Sequence, residues 1–368
     1  MIDPLPVSKE KEAVLARTRP SWLPPKCKKE EKRHLREWEK MMSRSAEVEK
    51  RRAAKQLEQI ESSRQTKGSV ARIWEEHVLP DWDATIREPR TRELWWRGVP
   101  SKDRSIVWSR AIGNDLELSG SSYTAALNRA KSAGQAITNM SAEEKQNSKE
   151  AQWQSAIIRD VPAVFPELGI FAQGSPLHDT LTDVLLAYSS YRADVGYVYG
   201  MHSVAGLLVL NMDAATAFTA LANLLNRPLP LAYLIQDQPA IDRWSSLILS
   251  TLKYKIPSLH DHLISERTGF RGADEWLEPM LTTLFTSVLE VDTVSRIWDV
   301  YCFEGDRALV RALVGVLGAL ENRLYGSREE ILRVLGWEAD KEAWRSIGSE
   351  EEVMASVRAA GKMEKQMS

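Results

Sequence analysis

The chain has 368 residues and is 43% hydrophobic, enough apolar material for one large folded domain with extensions. A formal net charge of −2 excludes nucleic-acid binding driven by bulk charge. Cys27 and Cys302 are the only cysteines, too few and too far apart for a disulfide framework or a cysteine-rich zinc site, and they predict a reducing compartment, nucleus or cytosol.

The start, MIDPLPVSKEKEAV, carries neither the basic nor the apolar segment of a signal peptide, and 1–19 is expected to be disordered. From 20 to 66 the sequence alternates charges, as in CKKEEKRHLREWEK, and reads as a long solvated helical extension. Leu35, Trp38, Met42, Ala53, Leu57 and Ile60 mark a thin stripe along it at helical spacing, the one candidate surface here for a partner helix. The strong apolar periodicity lies in 67–345, the expected main domain.

Within that domain the period is helical. Leu177, Leu181, Val184, Leu185 and Tyr188 recur at three-to-four spacing, as do Phe218, Leu221, Leu224 and Leu225 after the N-cap candidate Asp213. Gly326 is read as closing one helix before Ser327 and Glu330 open the next with a capping box, and Ser349 with Glu352 repeats that signature. The segment 346–368 is therefore expected to be a C-terminal helix and tail. No sustained two-residue alternation is present, so the fold class is all-α. The most apolar stretch, VAGLLVLNM, is too short to cross a bilayer, and no transmembrane segment is expected.

Common catalytic signatures are missing. The chain has no GxxxxGK[ST] loop, GxGxxG fingerprint or GxSxG elbow, so it is not expected to bind or hydrolyse a nucleotide by those devices. His260 and His262 in LHDHL are two residues apart and point to different faces of a helix, which predicts no metal site. Cys302 in WDVYCFEG has no histidine partner and reads as a buried structural thiol.

Four short segments stand out for their aromatic and glycine content: LWWRGVPSKDRSIVW (94–108), IIRDVPAVFPEL (157–168), YRADVGYVYGMHSVAG (191–206) and SRIWDVYCFEG (295–305). In this order and spacing they resemble the TBC domain of Rab GTPase-activating proteins, over roughly 94–335. The resemblance implies a two-subdomain helical fold, a Rab-family GTPase as partner, membrane contact only through that GTPase, and a cytoplasmic protein peripheral at endomembranes in vesicle traffic. GTP and magnesium would belong to the partner, so no cofactor is expected in this chain. In the family an arginine following the aspartate of the second motif neutralises charge on the transferring phosphoryl group, and a glutamine in the YxQG turn orients the attacking water.

Asp160, Phe165, Pro166, Gly196, Tyr197, Gly200 and Met201 fall on the framework of those two motifs, as partner-binding positions. The two catalytic positions do not match. The arginine position is Ala163 and the glutamine position is Tyr199. An alanine methyl supplies no charge, and a phenol cannot copy the paired carbonyl and amide of glutamine. Arg159 lies four residues before Ala163, beyond Asp160 and Pro162, and is expected to start from a different place; Arg192 matches a scaffold residue. Asp160 is expected to hold its loop by accepting backbone hydrogen bonds. Trp95, Trp96 and Trp108 are expected to pack helices, Arg97 and Arg104 to meet acidic groups or helix ends, and Trp298 with Asp299 to lock a C-terminal helix.

Three functions are open on these residues. The first is a Rab-binding module that is weak or inactive as a GTPase activator. The second is an active GTPase-activating protein with unconventional fingers. The third is a TBC-fold adaptor without GTPase contact, docking through its charged helix.

Overall fold

The computed structural model describes residues 28–345 and 347–361. The expected disorder of 1–19 and the tail beyond 361 lie outside these residues, as do the side chains of Ala53, Leu57 and Ile60. Helices α1 (Lys28–Ile73), α2 (Trp82–Thr85), α3 (Pro89–Arg97), α4 (Arg104–Ile112), α5 (Gly120–Thr138), α6 (Ala142–Asn147) and α7 (Lys149–Asp160) lead to a 3₁₀ turn, Val161–Ala163. They are followed by α8 (His178–Tyr191), α9 (Met201–Asn211), α10 (Ala214–Leu225), α11 (Pro228–Leu234), α12 (Gln238–Lys255), α13 (Pro257–Leu263) and α14 (Asp274–Thr282). The chain closes with α15 (Val291–Glu304), α16 (Asp306–Ala319), α17 (Arg328–Leu335), α18 (Lys341–Arg345) and α19 (Glu350–Ala360). No strand occurs among the described residues, so the all-α expectation holds.

Two compact units divide between Ser69 and Val70. The first is formed by α1, which is uninterrupted by proline and carries side-chain pairs such as Arg33 and Glu37, 3.6 Å apart at i,i+4. Because α1 continues to Ile73, the boundary expected after residue 66 falls inside a helix. Leu35, Trp38, Met41, Met42 and Val48 are each more than half exposed along it. Removing residues 1–69 is expected to leave the Tm of the remainder unchanged within about 2 °C, because exposed apolar side chains add little burial energy. Differential scanning calorimetry checks this, and a drop of more than about 5 °C would overturn it.

The second unit has a continuous apolar core in which Trp74, Trp108, Trp276 and Trp298 are fully buried. Local caps start its helices as expected. Asp213 accepts from the backbone N–H groups of Ala215 and Thr216, and Ser327 with Glu330 and Ser349 with Glu352 form capping boxes. Gly326 plays a different part from the one expected. The preceding helix, α16, stops at Ala319, and the Gly326 carbonyl accepts from His262 Nε2 at 3.0 Å.

Long-range polar contacts lock the first motif to the last. Asp299 on α15 is fully buried and accepts from the Val99 N–H at 3.0 Å, Arg104 Nε and Nη2 at 3.1 Å each, and Trp108 Nε1 at 2.9 Å. One turn later Glu304 accepts from Arg92, Trp95, Trp96 and Arg311. Burial opposes its charge, but the hydrogen bonds from Arg92, Trp96 and Trp95 hold its carboxyl below the usual range. Cys302, on the same helix, is buried, and desolvation pushes its thiol up to about 12, consistent with an inert structural group.

The C-terminal helix α19 is part of this core, with Val353, Met354, Val357 and Ala360 buried. It crosses α16 at Gly315, where an added Cβ would lie 2.7 Å from the Val357 nitrogen, so only glycine allows this approach.

Candidate functional site

Two loops meet at one groove. The first leaves α7, which continues through Asp160 (φ −88°, ψ −30°) and Val161 (φ −53°, ψ −45°) straight into the 3₁₀ turn ending at Ala163. Phe165 then takes a left-handed φ of 41° and reverses the chain, with its ring buried near Phe171. Arg159 lies four residues before Ala163 on a continuous helical path, because Pro162 occupies an early turn position where its missing N–H is harmless.

The second loop joins α8 to α9. Arg192 Nε and Nη2 hold Asp194 at 2.9 Å, and Gly196 adopts φ 70° where an added Cβ would lie 2.2 Å from the Trp153 ring of α7. Gly200, at φ 101°, caps α9. On α9 itself, Gly206 leaves room for Val164, whose Cγ1 would be 2.5 Å from a Cβ there. Glycine at 196 and 206 thus lets α7 and the Val164 loop lie directly against the second loop and its helix.

A buried polar chain ties the loops together. Tyr197 Oη donates to Asp160 Oδ2 at 2.8 Å, and His202 Nδ1 lies 2.8 Å from the same hydroxyl. Since the phenol gives its one proton to Asp160, the imidazole is assigned as the Nδ1–H tautomer donating to Tyr197. Burial pushes the His202 pKa down to about 4, so the ring is neutral at physiological pH. Burial and the adjacent Asp160 charge push the Tyr197 phenol far up, keeping it a donor. Asp160 takes its hydrogen bonds from side chains, Tyr197 and Arg159 Nε (2.8 Å), instead of the expected backbone groups. The reason is that the neighbouring N–H groups are spent within α7 and the 3₁₀ turn, Val161 on Ile157 and Val164 on Val161.

Ala163 and Tyr199 line the same groove, of about 400 Å³, which Lys341 and Arg345 of α18 also reach. Tyr199 is half exposed, its ring 5.1 Å from His202 and 5.4 Å edge-on from Trp337. Phe165, Gly196, Tyr197, Gly200 and Met201 are buried, and Pro166 is exposed. These buried residues shape the loops from beneath and present little surface for direct contact. Trp337, His202 and Trp153 were not singled out by the sequence. Nothing local in LGWEAD marks Trp337 as a groove residue.

Among the described residues the scaffold is all-α, and its two loops converge on one groove. The chain belongs to the Rab-GTPase-TBC domain family, whose model matches residues 101–325. A second family model, SBE2 middle domain, matches residues 1–56. A TBC domain-containing protein of Schizosaccharomyces pombe is 33% identical over 325 residues, covering 88% of this chain and 68% of that protein. TBC1 domain family member 14 of Rattus norvegicus is 33% identical over 322 residues, covering 85% of this chain, which spans only 46% of that relative's length. The crystal structure of the Chlamydomonas flagellar RabGAP TBC domain aligns with a TM-score of 0.57 at 23% identity, covering 81% of this chain and 94% of that one. The Ypt/Rab-GAP domain of Gyp1p aligns with the same TM-score at 16% identity, covering 79% and 98%. Both share this fold. In the described residues no helix is long and apolar enough to cross a membrane.

Proposed function

We propose that this chain binds a Rab-type GTPase across the Ala163 and Tyr199 groove and leaves its GTP hydrolysis almost unaccelerated, acting as an effector, scaffold or competitor at endomembranes. The observation carrying this reading is that the two positions where the family places its arginine and glutamine face one groove and hold a methyl group and a phenol. Without the arginine about 10³ to 10⁵ in rate is forgone. Membership of the family supports the partner class, and nucleotide and magnesium would both come from the GTPase.

A second reading, an active GTPase-activating protein, is favoured by Arg159, whose side chain is 72% exposed one turn from Ala163. Against it, the guanidinium is held by Asp160 through Nε and Nη2, so reaching a phosphate requires breaking a charge-assisted pair. Single-turnover hydrolysis by a panel of GTP-loaded Rabs separates the two. The first reading expects rates within about threefold of the GTPase alone, together with capture of at least one nucleotide-loaded Rab. Strong acceleration that Arg159→Ala abolishes would establish the second. Capture of no Rab would leave an adaptor without GTPase contact.

A further inference from the structure

A second cavity, of about 240 Å³, is lined by α5, α7 and α8 and shares no lining residue with the Ala163 and Tyr199 groove. Ala130 and Ala133 on α5 leave room where longer side chains would fill it, and Ile137, Leu186 and Trp153 supply apolar surface. The Trp153 ring is fixed from outside the cavity, because it packs on the turn at Gly196, where an added Cβ would lie 2.2 Å from it. One wall is therefore a preformed aromatic surface. Three polar groups of the lining, the Arg129 guanidinium, the Gln154 amide and the Ser190 hydroxyl, make no hydrogen bond or ion pair among the described residues. All three can donate. Glu150, which also lines the cavity, already accepts from the Ser148 hydroxyl at 3.2 Å in the first turn of α7. Among the described residues no exposed large apolar side chain lines the cavity, so it lacks the contiguous apolar patch that marks a protein docking site.

We propose that this cavity binds a small aromatic carboxylic acid, with its ring among Ala133, Leu186 and Trp153 and its carboxylate on Arg129. Volume sets the size of the ligand. An apolar cavity of about 150 Å³ holds benzene, so one of about 240 Å³ takes a single ring with a short acidic arm. The Trp153 ring suits an aromatic neighbour, which it can meet offset or edge-on. A guanidinium matches a carboxylate through two parallel N–H donors, and one unpaired arginine balances one negative charge. A phosphate ester fits worse, because its second charge would be repelled by Glu150.

The test is a ligand-observed NMR titration of the full chain with phenylpropionate, set against the uncharged alcohol phenylpropanol. One saturable site is expected for the acid, with a Kd of about 1 mM or tighter, and the alcohol is expected to bind at least about fivefold more weakly. Arg129→Gln changes an exposed, unpaired side chain and is expected to weaken the acid about fivefold while leaving the alcohol unchanged. Ala133→Leu keeps helix propensity, fills the cavity and is expected to abolish binding of both. Circular dichroism checks that each variant is folded; should Ala133→Leu not fold, the loss of the acid's advantage in Arg129→Gln decides alone. Absence of a saturable site overturns the proposal. So does undiminished binding by a folded Ala133→Leu variant, by the Arg129→Gln variant, or equal binding of acid and alcohol by the unmodified chain.

Discussion

Ala163→Arg combined with Tyr199→Gln is expected to raise single-turnover GTP hydrolysis on a bound Rab by on the order of 10³-fold over the unmodified chain. Both positions already face the groove, and Asp160, Tyr197 and His202 already brace the two loops against each other. The new arginine would follow a continuous helical path ending in the 3₁₀ turn, so its start is set by the backbone of α7. Neither change alone is expected to exceed about tenfold, because charge stabilisation and water positioning act on one transition state and are not additive. Tyr199→Gln also gives up the edge contact with Trp337, which frees space beside the new amide. Activity of the unmodified chain equal to that of the double variant would remove the inactive-platform reading. A double variant that binds a Rab but stays silent would mean that these loops do not meet the nucleotide.

Asp299→Ala is expected to be the most damaging single change in the scaffold, destabilising by about 3 to 5 kcal/mol. Asp299 is fully buried and receives three kinds of donor, so its loss leaves the Arg104 guanidinium, the Val99 N–H and the Trp108 indole N–H without their acceptor. At about 2 to 4 °C per kcal/mol for a domain of this order, Tm should fall by roughly 10 °C. Asp299→Asn keeps one acceptor oxygen and the volume, and is expected to fall between the wild type and the alanine variant. Urea unfolding followed by tryptophan fluorescence measures both. A loss below about 1 kcal/mol for Asp299→Ala would show that the first and last motifs are held together by apolar packing alone.

Much of this protein was legible in its sequence because helices are local objects. Asp213, Ser327 and Ser349 cap through donors two or three residues away, and the apolar spacing from Leu181 to Tyr188 is set by the helical period, so neither needs a distant partner. The sequence also determined which side chains stand at positions 163 and 199. What it could not determine is what those side chains meet. Trp337 reaches Tyr199 from 138 positions away, Trp153 fixes the turn at Gly196, and Asp299 gathers donors from a loop and a helix about 200 residues earlier. The expectation for Asp160 missed for the same reason: its partners depend on Tyr197 being folded beneath it, and on α7 consuming the backbone donors that a freer loop would have offered. Periodicity and capping are encoded over three or four residues, whereas the groove exists only where segments far apart in sequence exclude water together, and that choice belongs to packing.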